Sequence, residues 1–428
     1  MVEYLKIVYV RGQQVLDGRG NPALEAAVTV RNCVNGELTQ GRAIVPDGTG
    51  QRERLCVEEM KTAAQNVEKY LQEPLAGTEV TDQRRIDHIL REMERRGEKA
   101  GPGADVLAAV SLACADAGAK ALHTPLYRYL GGVQGQQMPV PMMTVIDGGT
   151  HASNSLDVQE FMVVPVGAGS LSEGIEWGCE VYHTLKEILS ARGLATSVGD
   201  EGGFAPNLST EIEAIDFIME AVHGAGFTPG KDVCISLDVA AGNWKGKGGS
   251  DYCMPKQKRC YSSRELMQEW EELVEKYPVF SLEDPLGTED WNGWQELTKR
   301  LGKKTLLVGD ALFQADVERL KRGSTMNAAN AILIRTGKPG TLSETMDVVH
   351  LAGELGYRTI LSQTGGESED SFLADLSVAF NTGLIKTGAP GRGERTAKYN
   401  QLLRIEEELY GGRTDAREDP DCCGNPVK

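Results

Sequence analysis

The chain has 428 residues, 40% hydrophobic and 25% charged, with a net charge of −17. That is an ordinary globular composition, large enough to bury a core without disulfide or metal staples. The acidic balance argues against nucleic acid or an anionic membrane as partner, but leaves a small anionic substrate open wherever a metal ion reverses the local field.

The nine cysteines are scattered, with no Cys-x-x-Cys pair, so reduced thiols are expected. The N-terminus lacks a charged-then-apolar signal pattern, and no apolar run approaches the ~18 residues that cross a bilayer. A cytoplasmic location follows as an expectation.

In chain order, Ile7–Val10 and Leu24–Val30 read as strands around the turn Leu16-Asp-Gly-Arg-Gly-Asn-Pro22, with a third strand through Gly41–Val45. The short loop Pro46-Asp-Gly-Thr-Gly50 follows. Helices are expected from Val57 to about Gln72, Asp82 to about Arg96, and Ala104 to about Leu122. Strands followed by helices predict an α+β domain over residues 1–134. Gly131–Gln137 reads as a linker into a second domain over 135–428, whose tail from about residue 411 has little to bury and is expected to be mobile.

Beyond Met138 the pattern becomes strand-helix alternation. Val233–Leu237 ends at Asp238, Val279–Leu282 at Glu283, Leu306–Gly309 at Asp310, Ala331–Ile334 at Arg335, Thr359–Ser362 at Gln363, and Gly383–Ile385 at Lys386. The first interval carries a Gly/Lys-rich insertion, Gly242–Gly249, and each of the others fits one βα unit. Repeated βα units predict parallel strands closing into a TIM-type barrel, with function at the strand ends. Three successive strands end in Asp238, Glu283 and Asp310. Either each carboxylate caps the next helix, or together they hold a hard divalent cation such as Mg²⁺ or Mn²⁺. The glycine-rich run Ser197-Val-Gly-Asp-Glu-Gly-Gly-Phe-Ala-Pro-Asn207 carries Asp200 and Glu201 on a loop, either a surface turn or a loop that brings a carboxylate to a ligand.

These motifs resemble enolase along nearly the whole chain. The match runs through Leu16–Pro22, Val140-Pro-Met-Met143, Gly148-Gly-Thr-His151, Gln159-Glu-Phe-Met162, Val198–Asn207, Ser281-Leu-Glu-Asp284, Val308–Leu312, Gly366–Asp370 and Ala397-Lys-Tyr-Asn-Gln401. The resemblance implies an α/β fold: an enolase-type (β/α)8 TIM-like barrel preceded by an α+β capping domain, as a homodimer or higher homo-oligomer. It also implies Asp238, Glu283 and Asp310 as Mg²⁺ ligands, Glu160 and Glu201 as acid-side glutamates, and His151 and Gln159 as substrate-pocket residues.

The departures cluster. Arg335 stands where enolase has its lysine base, and arginine stays protonated, although it holds carboxylates well. Ser362-Gln363-Thr364-Gly365 replaces Ser-His-Arg-Ser, and the 46–50 loop is two residues shorter. Lys386 matches the eighth-strand lysine and is the preferred base, with Lys338 the other candidate; Gln363, Thr364 and Lys338 are candidate substrate contacts. The expectation is an Mg²⁺-dependent lyase that removes the proton α to a carboxylate and eliminates or adds a β group, on an acid not held by enolase's phosphate site. Phosphopyruvate hydratase and a non-catalytic binding paralogue are the alternatives.

Overall fold

The turn expected at 16–22 is built on Asp17, whose Oδ1 accepts the N–H groups of Arg19 (2.9 Å) and Asn21 (2.7 Å). It joins β1 (Leu5–Leu16) to β2 (Pro22–Asn32), and β3 (Leu38–Val45) extends the antiparallel sheet. The computed structural model describes residues 4–45, 57–96, 103–244, 246 and 251–411. The loop Pro46–Gly50, residues 245 and 247–249 of the insertion and the tail beyond 411 therefore lie outside the described residues.

The alanine-rich helix Ala104–Ala121 packs on this sheet at close range because the facing strand residue is Gly41. A Cβ there would lie 2.6 Å from Ala117 Cα, so no larger residue fits. The helix expected from Val57 to Gln72 is interrupted. It runs to Asn66, widens into a π turn over Val67–Leu71, and resumes at Gln72. The Gln72 side chain accepts from Val10 N (2.6 Å) and donates to Val8 O (3.2 Å), giving β1 the partners a neighbouring strand would supply.

The second part of the chain supplies β4 (Val140–Asp147), β5 (Glu160–Val164), β6 (Cys234–Asp238), β7 (Tyr252–Cys253), β8 (Cys260–Tyr261), β9 (Val279–Glu283), β10 (Leu306–Gly309), β11 (Ala331–Arg335), β12 (Arg358–Ser362) and β13 (Gly383–Lys386). Eight of them close a barrel in the order β10-β11-β12-β13-β4-β5-β6-β9. Met142, Met162, Val164, Val308, Ala331, Leu333 and Ile360 fill the barrel core and are fully buried. That burial on both faces explains their near-continuous apolar runs.

Two expectations are corrected. The barrel is not all parallel: β5 runs antiparallel to both β4 and β6. A loop, with no helix, joins β4 to β5, and an antiparallel pair needs no helical crossover. Nor are all the thiols reduced: Cys253 and Cys260 form a disulfide across the β7–β8 hairpin, while Cys33, Cys114, Cys179 and Cys234 are free. Their close pairing in a two-residue antiparallel ladder was invisible in the spacing.

The helix-cap alternative for the strand-end acids is also decided. The helices Ser263–Lys276, Trp291–Leu301 and Val317–Met326 are capped by Ser262, Asp290 and Asp316. The described residues form two compact units, one within 1–137, 334–350 and 361–381, the other within 138–333, 351–360 and 382–428. Among the described residues, no helix is long and apolar enough to cross a membrane.

Candidate active site

The reversal of β5 builds the site. Glu160 is the first residue of its strand, yet it sits beside the last residues of its neighbours. Asp147 pairs with Glu160, Glu160 with Asp238, and Asp238 with Glu283. Four carboxylates on four adjacent strands thus form one row, and all four are at most 3% exposed. Lys386, at the end of β13, delivers its ammonium to that row. Its Nζ lies 2.7 Å from Glu283 Oε2, 2.9 Å from Asp238 Oδ2 and 3.0 Å from Glu160 Oε1. Asp310 follows β10 and is buried, its N–H donated to Asp284 Oδ1 at 3.2 Å.

The 197–207 loop is fixed in place. Four successive carbonyls have donors: Gly199 from Arg392 Nη1 (3.0 Å), Asp200 from Arg395 Nη2 (2.9 Å), Glu201 from Ala389 N (2.9 Å), and Gly202 from the Tyr182 hydroxyl (2.8 Å). Gly202 adopts φ +87°, which only glycine takes without strain. Glu201 is thereby turned inward and is 2% exposed, so the surface-turn alternative fails. Its Oε2 meets Arg395 Nη1 at 3.1 Å and its Oε1 meets His151 Nδ1 at 3.2 Å. Gln159, next to Glu160, is half-buried, donates its N–H to Asp238 O (2.8 Å), and accepts from the Thr150 hydroxyl (3.1 Å).

The environment separates these acids. Burial opposes the charge on Glu201, but Arg395, then the adjacent His151 and Lys386, outweigh it and bring the pKa down to about 2. Burial likewise opposes a charged His151, and Glu201, Glu160 and Asp238 outweigh it, raising its pKa. Glu283 is pushed well above the carboxylate range by burial and by Asp238, against the pull of Lys386.

Arg335 closes β11 and Gln363 and Thr364 follow β12 in the other unit. There Lys338 N donates to Arg335 O (3.1 Å), forming a turn, with both side chains half-buried. Gln363 is buried, and Thr364 N donates to Glu367 Oε1 (2.9 Å). A Cβ at Gly365 would run into the Arg19 guanidinium, which fills the space beside it.

The expected trio Asp238, Glu283 and Asp310 is not the set whose donor atoms converge most closely. Among the described residues, one atom each from His151, Glu160 and Glu201 lies within 4.8 Å of the others. The strand-end acids nevertheless fit a cation chemically. They offer oxygen donors only, and Glu283 Oε1 is buried with no hydrogen-bond partner among the described residues. Two residues of this site were missed in the sequence. Asp147 ends β4 as Asp238 and Glu283 end theirs, so the strand-end rule would have found it. Arg395 carries no such local signal, since a long cation on a helix is usually solvated.

The N-terminal domain model of enolase matches residues 7–130, and the C-terminal TIM barrel domain model of enolase matches residues 135–416. With a three-stranded sheet ahead of a closed eight-stranded barrel, the chain belongs to the enolase family.

Proposed function

We propose that this chain is a divalent-metal-dependent lyase. It removes the proton α to a carboxylate and eliminates, or in reverse adds, water or another β group. Its substrate is a small acid not gripped as enolase grips phosphate. The observation that carries the reading is the acid row focused on one cationic point, Lys386 Nζ. Asp238, Glu283 and Asp310 are the residues that would hold Mg²⁺, or Mn²⁺ in its place. When bound, such an ion supplies the positive charge that stabilises an enolate beside a carboxylate.

The chain's own groups divide the rest of the work. The α-proton is weakly acidic, so its base must be an uncharged amine or an ionised carboxylate. Lys386 is the preferred base and Lys338 the alternative. Lys386 donates to Asp238 and Glu283 and pairs with Glu160, so it accepts a proton only when those carboxylates are neutralised by another cation. His151 Nδ1 lies 3.2 Å from Glu201 Oε1, with Glu201 ionised and His151 favoured in its charged form. That pair, with Glu160 beside it, protonates the departing group in elimination and receives the proton of water in addition. His151 and Gln159 contact the substrate. Arg335 has the guanidinium fork that would suit a carboxylate, and Gln363 and Thr364 are further candidate substrate contacts. A cytoplasmic homodimer completes the proposal.

The test is α-proton exchange in deuterated water with Mg²⁺ across a panel of hydroxy and amino acids, beside a phosphoenolpyruvate-formation assay. Exchange with at least one acid, and little turnover of 2-phosphoglycerate, is expected. Ordinary enolase turnover would make the chain a phosphopyruvate hydratase, and no exchange with any acid would make it a binding paralogue.

A further inference from the structure

Asp147 is fully buried and has no part in the chemistry above. Its Oδ2 accepts the backbone N–H of Glu201 at 3.0 Å. Its own N–H donates to Phe204 O at 2.9 Å, and its carbonyl accepts from Asn154 Nδ2 at 2.8 Å. The 197–207 loop closes around this one carboxyl. A Cβ on Gly199 would lie 2.7 Å from Asp147 Cβ and strike Oδ2, and one on Gly203 would lie 3.0 Å from Oδ1 and 2.9 Å from the Asp147 nitrogen. Two of the glycines that mark this loop are therefore there to admit Asp147. The second oxygen, Oδ1, is buried with no hydrogen-bond partner among the described residues.

We propose that Asp147 is a positioning residue: its carboxyl is the anchor that sets Glu201 beside the acid row, with Gly199 and Gly203 as the residues that let the loop reach it. This deepens the reading of Glu201 as a working group of the site and rests on it. Burial first, then the facing Glu201 and Glu160 carboxylates, raise the Asp147 pKa well above its ordinary value, against Arg395 and the Glu201 N–H. A neutral carboxyl still accepts that N–H, so the anchor needs an oxygen and not a charge.

The test is amide hydrogen–deuterium exchange of segment 197–204 in the full chain. Asp147→Asn keeps an oxygen acceptor, so exchange stays within about threefold of wild type. Asp147→Ala removes the acceptor and speeds exchange of the segment roughly tenfold or more, with the β5 amides unchanged. Gly203→Ala leaves the carboxyl in place but pushes the loop off it, and gives the same local rise; it serves if Asp147→Ala does not fold. Wild-type protection in whichever of these two variants folds overturns the proposal. So does a rise in Asp147→Asn equal to that of Asp147→Ala, which would assign the effect to charge. With an acid found by α-proton exchange, Asp147→Ala lowers kcat with KM within about twofold, and Asp147→Asn restores it. The deuterium readout needs no substrate, so its failure is separable from failure of the proposed function.

Discussion

Replacing Lys386 by methionine removes the ammonium that Glu160, Asp238 and Glu283 share at 3.0, 2.9 and 2.7 Å, and leaves a side chain of similar length. All three carboxylates and the lysine are at most 4% exposed, so water does not take over the lost charge. Breaking a buried pair by deleting one partner costs about 3–5 kcal/mol. Here the deletion uncovers three acids at once, which places the loss at the upper end. For a unit of this size each kcal/mol moves the melting temperature by about 2–4 °C, so Lys386→Met should melt roughly 10 °C or more below wild type in chelator. A divalent cation held by Asp238 and Glu283, two of these three acids, replaces the missing charge. Mg²⁺ should therefore stabilise the variant more than wild type, by about 1.4 kcal/mol for each tenfold by which the variant binds it more tightly. The assay is thermal unfolding of both proteins across an Mg²⁺ titration. A variant that melts with wild type in chelator would refute the ion-pair argument, and equal Mg²⁺ shifts in both would refute a cation site at these oxygens.

Three further outcomes are expected. Asp310→Ala should weaken Mg²⁺ binding at least tenfold by calorimetry; unchanged affinity removes Asp310 from the ligand set. Glu201 has a folded pKa lowered from 4.5 to about 2, so its contribution is present above pH 4.5 and lost as pH falls toward 2. Acid unfolding of wild type should show that loss, on the order of 3 kcal/mol, and Glu201→Gln should lack it; identical pH slopes would contradict the Arg395–Glu201 pairing. Reducing Cys253–Cys260, which closes a separation of seven residues, should cost about 2 kcal/mol and add two hydrogens to the intact mass. The hairpin holds Asp157 through the N–H groups of Lys256 and Gln257, at 2.8 Å each, so faster amide exchange there should follow; no mass change on reduction would show the thiols already reduced.

Sequence alone marked β6 and β9 to β13, because those strands are buried and largely apolar until they end, whereas β4 and β5 were not marked. Asp238, Glu283, Asp310, Arg335 and Lys386 stood out for that reason, and the enolase motifs followed from reading them in order. The reversed β5 was not legible, since periodicity says where a strand lies and nothing of its direction. Tertiary structure decided what the acids meet. Only the barrel's closure places Lys386 against Glu160 and Asp238, and only the packing of the last helix brings Arg395 to Glu201. The glycines of 197–207 were readable as a loop that carries a carboxylate inward. That two of them make room for Asp147 depended on a contact across fifty residues of chain, which local sequence cannot encode.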